Sequence, residues 1–139
     1  MAVSTSPLHV VRVRQVEGVT QAAVGKSIGT FDDTVLASFL EKQLPAIAGE
    51  AVTPLRFTTT DSPNSLFVEY ETKAVERHRI LLTVRDVIHT EWVIRARYEL
   101  VNATWRKVEG GGLADPQPVR LYEWESEVKK WILKHSTKN

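Results

Sequence analysis

A chain of 139 residues with 42% apolar and 25% charged residues has the composition of a globular domain, not of a disordered or fibrous segment. Its 18 basic and 17 acidic residues leave a net charge of +1, so no bulk field draws it to nucleic acid or membrane and any electrostatic recognition must be local. The absence of cysteine excludes disulfides, thiolate nucleophiles and thiolate metal sites.

The length suits a single domain over residues 1–139, able to bury roughly two thirds of its unfolded surface. Met1 to Pro7 lacks both a basic n-region and an apolar h-region, and no apolar run reaches the roughly 18 residues that would suggest a membrane span. The expectation is a protein of the cytoplasm or of an assembled particle, with no membrane contact.

In chain order, Leu8 to Val16 reads as a strand, with Val11 and Val13 alternating against Arg12 and Arg14. Gly18 to Gly29 reads as loop. A helix is predicted from Thr30, where Thr30 and Asp33 approximate a capping box and Asp32 and Asp33 suit the positive end of the helix dipole. Phe31, Val35, Leu36, Phe39, Leu40 and Leu44 form its buried stripe, and Pro45 ends or kinks it.

Leu55 to Thr60 is the next strand, and Asp61 to Ser65 supplies turn formers ahead of the strand Leu66 to Thr72. Lys73 to Arg77 connects to a hairpin of Ile80 to Ile88 and Trp92 to Leu100. The chain is expected to turn at Asn102 and return as Thr104 to Glu109, because one strand from Trp92 to Val108 would exceed the usual length. Gly110 to Pro118 reads as linker. Leu121, Trp124, Val128, Trp131 and Ile132 fall at helical spacing, with glutamates early and lysines late, which predicts a C-terminal helix.

This order predicts an α+β fold: an antiparallel meander sheet of five or six strands with two helices packed on one face. In the hairpin, a three-residue turn sets Ile88 against Trp92, Val84 against Ala96 and Leu82 against Tyr98, keeping the apolar residues on one side. The opposite side then carries Phe67, Leu81, Arg85, Val87, Val93, Arg95 and Arg97 as an open face. Arginine among apolar groups is interface-like. If Leu66 to Thr72 pairs with the Ile80 strand, Glu71 reaches Arg79 and Glu69 joins the same row.

Constellations for chemistry are sparse. Gly25, Lys26 and Ser27 match the end of a phosphate-binding loop, but Thr20 stands where the earlier glycine belongs and Gly29 interrupts any helix. His9, His78, His89 and His135 show no metal-ligand spacing. His89 and Glu91 form an H-x-E without the paired cysteines of a zinc deaminase. Asn102 to Thr104 is a glycosylation sequon that reads as turn chemistry. Asp86 falls on the apolar side between Val84 and Ile88, where burial would raise its pKa; alternatively it caps loop amides. No catalytic, cofactor or metal residue is assigned.

The function read from the sequence is a non-enzymatic structural or protein-interaction subunit of a larger assembly. By size and element order it is comparable to the small joining proteins of viral particles or secretion machines, with a protein partner that is either another copy or another subunit. One alternative is a single-stranded nucleic-acid-binding protein using the same arginine face, together with Arg12, Arg14, Arg79 and Arg106. A second is a small-ligand or enzyme domain with a pocket near Asp86.

Overall fold

The computed structural model describes residues 30–110 and 114–137. The expected Leu8 to Val16 strand and the Gly25 to Ser27 segment lie outside the described residues. One helix, α1 (Asp33–Ala48), precedes seven strands: β1 (Val52–Thr60), β2 (Ser65–Thr72), β3 (Arg77–Asp86), β4 (Glu91–Val101), β5 (Thr104–Gly110), β6 (Pro118–Glu125) and β7 (Lys130–Ser136). They form one sheet in the order β5-β4-β3-β2-β1-β6-β7, with every neighbouring pair antiparallel. The expectation of two helices on five or six strands is thus corrected to one helix on seven strands among the described residues.

The N-cap of helix α1 lies two residues after Thr30, because Asp32 is the residue whose carboxylate reaches a free amide of the first turn: its Oδ1 accepts from the Val35 N–H at 2.9 Å. Pro45 does not end it. Proline forfeits only its own hydrogen bond near the end of the helix, and the chain continues to Gly49, whose φ of 83° and N–H to the Pro45 carbonyl close the helix in a left-handed cap. Leu36, Phe39, Leu40, Leu44 and Ile47, spaced by three and four, are its buried face. They pack on Phe57, Leu66, Val68, Tyr70, Ile80, Leu82, Val84, Trp92 and Ile94, the helix face of the sheet.

The segment expected as a C-terminal helix is the hairpin β6–β7. Trp124 and Trp131 suit either period, but Tyr122 and Trp124 also alternate with Glu123 and Glu125, and Trp131 and Leu133 alternate with Ile132 and Lys134. Tyrosine, tryptophan and isoleucine favour a pleated surface. In the hairpin Trp124 lies opposite Trp131 with ring centroids 5.0 Å apart, and Phe57 of β1 stacks on Tyr122 at 4.7 Å and meets the Trp131 ring edge-on at 4.9 Å. This aromatic ladder buries apolar area that a lone helix stripe would have needed another layer to cover.

Asp33, in the first turn of α1, ties the helix to this hairpin. It accepts from Arg120 Nε at 2.5 Å and from the Tyr122 hydroxyl. Burial raises the Asp33 carboxyl, but the bonds from Arg120 and Tyr122 outweigh that and leave it below its ordinary value. Tyr122 is pushed up to about 12 by burial and by the Asp33 carboxylate.

Candidate interaction surface

The hairpin β3–β4 decides which side chains share the outer face, the side of the sheet away from α1. Its register differs from the expected one. Val84 pairs with Trp92 and Leu82 with Ile94, after which Leu81 pairs with Ala96, so Arg95 is an extra residue in β4. A β-bulge of this kind places two residues opposite one and reverses the facing of everything beyond it. Ala96 and Tyr98, expected under the helix, therefore lie on the outer face, and Arg97 crosses to the helix face opposite Ile80.

The seven residues predicted as one interaction face are accordingly divided. Phe67, Leu81 and Val93 are buried, at 3%, 7% and 5% relative exposure, within or beside the outer face. Arg95 is exposed there and donates from Nε to the Thr83 hydroxyl at 3.0 Å. Arg85 is half-buried at a second irregularity, between Val84 and Asp86. Val87 packs on the helix side beside α1, and Arg97 pairs with Glu109 at 3.2 Å. The structure thus brings Phe67 and Leu81 together and separates Val87 and Arg97 from them.

The outer face has its own small core, which sequence periodicity did not reveal. Phe67, Leu81, Ala96 and Tyr98 cluster with Trp105 packed against them. The Arg79 guanidinium lies over these rings, 4.3 Å from the Phe67 centroid, 5.1 Å from Tyr98 and 6.0 Å from Trp105. Guanidinium stacked on aromatic faces gains from the ring quadrupole. Asp115, in the segment between β5 and β6, pairs with Lys107 at 2.8 Å, and Gln117 exchanges bonds with Asp61 at the β1–β2 turn. Burial and the Asp115 carboxylate raise the Tyr98 phenol. Among the acidic residues of β2, Glu69 lies directly opposite Arg79 but bonds to Arg56 at 2.6 Å, and Glu71 reaches Arg77 at 3.9 Å, not Arg79.

Asp86 caps the β3–β4 turn. Its Oδ1 accepts from the backbone N–H of Ile88 at 2.9 Å and of His89 at 3.1 Å, and Oδ2 lies 2.8 Å from His89 Nδ1. Burial raises its carboxyl, but the His89 and Ile88 bonds win and hold it below the ordinary value, the opposite of the raised acid expected. This stabilisation is complete above the unfolded pKa of about 3.8 and is lost as pH falls through the folded value. Asp86→Ala is expected to cost roughly 1 to 2 kcal/mol at neutral pH and much less near pH 2, as measured by urea denaturation at both. Opposite Asp86, Glu91 is fully buried with no hydrogen-bond partner at either carboxylate oxygen.

A pocket of about 400 Å³ lies between the first half of α1 and the β3–β4 turn, lined by Val35, Ser38, Phe39, Lys42 and Val87 among others. It does not include Asp86. No cluster of three metal-ligating side chains exists among the described residues, and no helix among them is long and apolar enough to cross a membrane.

Exposed apolar groups on strands lie at both sheet margins, Leu100, Val101 and Val108 on β4 and β5 and Ile132 and Leu133 on β7, where Lys134 is an extra residue that bulges the strand. Trp131, Ile132 and Leu133 are consecutive, so they project apolar groups to both faces of an edge strand, with Ile132 37% and Leu133 50% exposed. Lys130 and Lys134 flank them, and Lys134 reaches Glu125 at 3.6 Å. At the opposite edge, β5 is bordered by ion pairs: Arg106 with Glu99 at 2.5 Å, Lys107 with Asp115, and Glu109 with Arg97. No protein family matches the chain, and no curated protein or solved structure is significantly similar to it.

Proposed function

We propose that this chain is a non-enzymatic protein-interaction subunit of a larger assembly, and that it docks by accepting a β-strand at the β7 edge, in the cytoplasm or within an assembled particle. One observation supports this above others: Trp131, Ile132 and Leu133 form a continuous apolar run on the terminal strand of the sheet, with Trp131 packed on the core and Ile132 and Leu133 exposed. An edge strand presents unpaired N–H and C=O groups, and apolar neighbours on both faces add burial to the hydrogen bonds a partner strand would make. Arg95 remains on the outer face as a cation able to meet an acidic partner at the periphery. The aromatic rings of that face are engaged by Arg79, which argues for a protein partner over a base-stacking one.

Lysines at both ends of the run make an acidic strand the best probe. A labelled synthetic peptide alternating valine and glutamate is expected to bind saturably at low salt, to weaken as salt rises, and to lose binding in Ile132→Lys/Leu133→Lys, as read by fluorescence anisotropy. Equal binding to the wild type and the double variant would remove β7 as the docking edge. No binding at low salt, from a protein that also stays monomeric, would remove the strand-accepting reading altogether.

A further inference from the structure

We propose that Arg79 and Lys107, set over the aromatic cluster of the outer face, form a carboxylate-binding site that takes an acidic segment of a protein partner and is held here by the chain's own Asp115. The inference goes beyond the strand-accepting reading, because the site lies on β3 to β5, toward the margin opposite β7. It begins with a row of directly opposed residues that crosses six strands: Lys107, Tyr98, Arg79, Glu69, Arg56 and Glu123. Directly opposed residues share one side of a sheet, so these charges meet in a single line. The acids of that line are engaged at one end. Arg56 binds Glu69 at 2.6 Å and reaches Glu123 at 4.0 Å, so Glu69 turns from Arg79 toward β1.

The other end keeps two cations, and the carboxylate beside them comes from outside the row: Asp115, 2.8 Å from Lys107 Nζ. Arg79 forms no ion pair among the described residues, and its Nε is buried with no acceptor. The Tyr98 hydroxyl, on a residue 5% exposed, is also buried without a partner. Two donors thus lack acceptors beside a lysine already bound to a carboxylate, and a second carboxylate supplies what they lack. Stacking on the rings holds the guanidinium in place, and its planar fork matches a carboxylate in two parallel bonds. Phe67 and Tyr98 are 3% and 5% exposed beneath Arg79, so they offer no face to a base, which favours an acidic peptide over a nucleic acid. Only the Asp115 side chain has to rotate away, because Gln117 stays tied by its two bonds to Asp61.

A labelled hexaglutamate peptide tests the site, since it has no apolar side chains to lay against β7. Fluorescence anisotropy at low salt should show saturable binding, weakened about ten-fold or more in Arg79→Met, which keeps the contact with the rings and loses the cation. Asp115→Asn removes the resident carboxylate and should tighten binding roughly two- to five-fold. In the wild type, titration with the peptide should move the Trp105 indole N–H resonance and leave those of Trp124 and Trp131 in place, a readout that needs no variant. No binding, shifts confined to Trp124 and Trp131, or an affinity unchanged in either variant overturns the site. A thymidine hexanucleotide that binds more tightly than hexaglutamate at the same salt overturns the acidic protein partner. Each of these failures leaves the strand-accepting reading standing, because that reading is decided by the valine–glutamate peptide and the β7 double variant.

Discussion

Replacing Phe57 by alanine is expected to cost roughly 3 to 5 kcal/mol, the largest effect of any single truncation in this sheet. Phe57 is fully buried on β1, under α1 and between the main sheet and the β6–β7 hairpin. Its ring stacks on Tyr122 and meets Trp131 edge-on, so the truncation removes both the transfer term and two aromatic contacts. Because β1 is the strand against which β6 pairs, the cavity opens at the strand seam joining the hairpin to the meander. Urea denaturation followed by tryptophan fluorescence should show a lower midpoint and a red-shifted native emission from Trp124 and Trp131. A loss below about 1 kcal/mol would mean that the ladder contributes little to docking the hairpin.

Arg79→Glu is expected to destabilise by roughly 3 to 5 kcal/mol, whereas Arg79→Met should cost about 1 kcal/mol. The guanidinium is stacked over Phe67, Tyr98 and Trp105, and its Nε is buried without a hydrogen-bond acceptor, so the rings are its principal company. A carboxylate there would face the negative sides of the same rings and lie across from Glu69, with Asp115 nearby. Methionine keeps the apolar contact and loses only the cation. Thermal and urea denaturation of both variants would measure the difference; equal losses would show that the cluster is held by shape alone, without a contribution from the charge.

Much of the sheet was legible because its strands obey period two. Leu66, Val68 and Tyr70 alternate cleanly, and the turn at Asn102 is confirmed by left-handed φ values of 52° at Asn102 and 64° at Ala103. The helix stripe through Leu36, Leu40 and Leu44 was equally plain, with its start displaced because Asp32, not Thr30, is the residue within reach of an open amide. What failed is instructive. A bulge at Arg95 adds one residue without any compositional sign, since any residue type can occupy it, yet it inverts Ala96, Arg97 and Tyr98. The aromatic cluster around Arg79 depends on that inversion and so could not be assembled from periodicity.

The C-terminal hairpin departs from the expected helix for a different reason. Trp124 and Trp131 are seven residues apart, which fits two helical turns as well as a pair of strands folded about Ser126 to Lys129. The neighbours decide it: Tyr122 and Leu133 complete an alternation that a helix would scatter around its circumference. With the helix replaced by strands, the candidate surface moves from the middle of the sheet to its margin.

The order of strands also has a kinetic corollary. Strands β1 to β5 are joined by local connections to their spatial neighbours, whereas β6 pairs with β1 across some sixty positions of chain, as in Thr58 with Leu121. Local pairings form early because little loop entropy opposes them, and distant ones wait. The five-stranded meander can therefore collapse under α1 first, leaving the outer flank of β1 bare until the last hairpin arrives. During that interval the growing chain presents an adhesive strand to every other unfinished copy around it. Docking of Phe57 against Tyr122 is what closes this window, so the same ring that secures the finished sheet also covers the bare flank of β1.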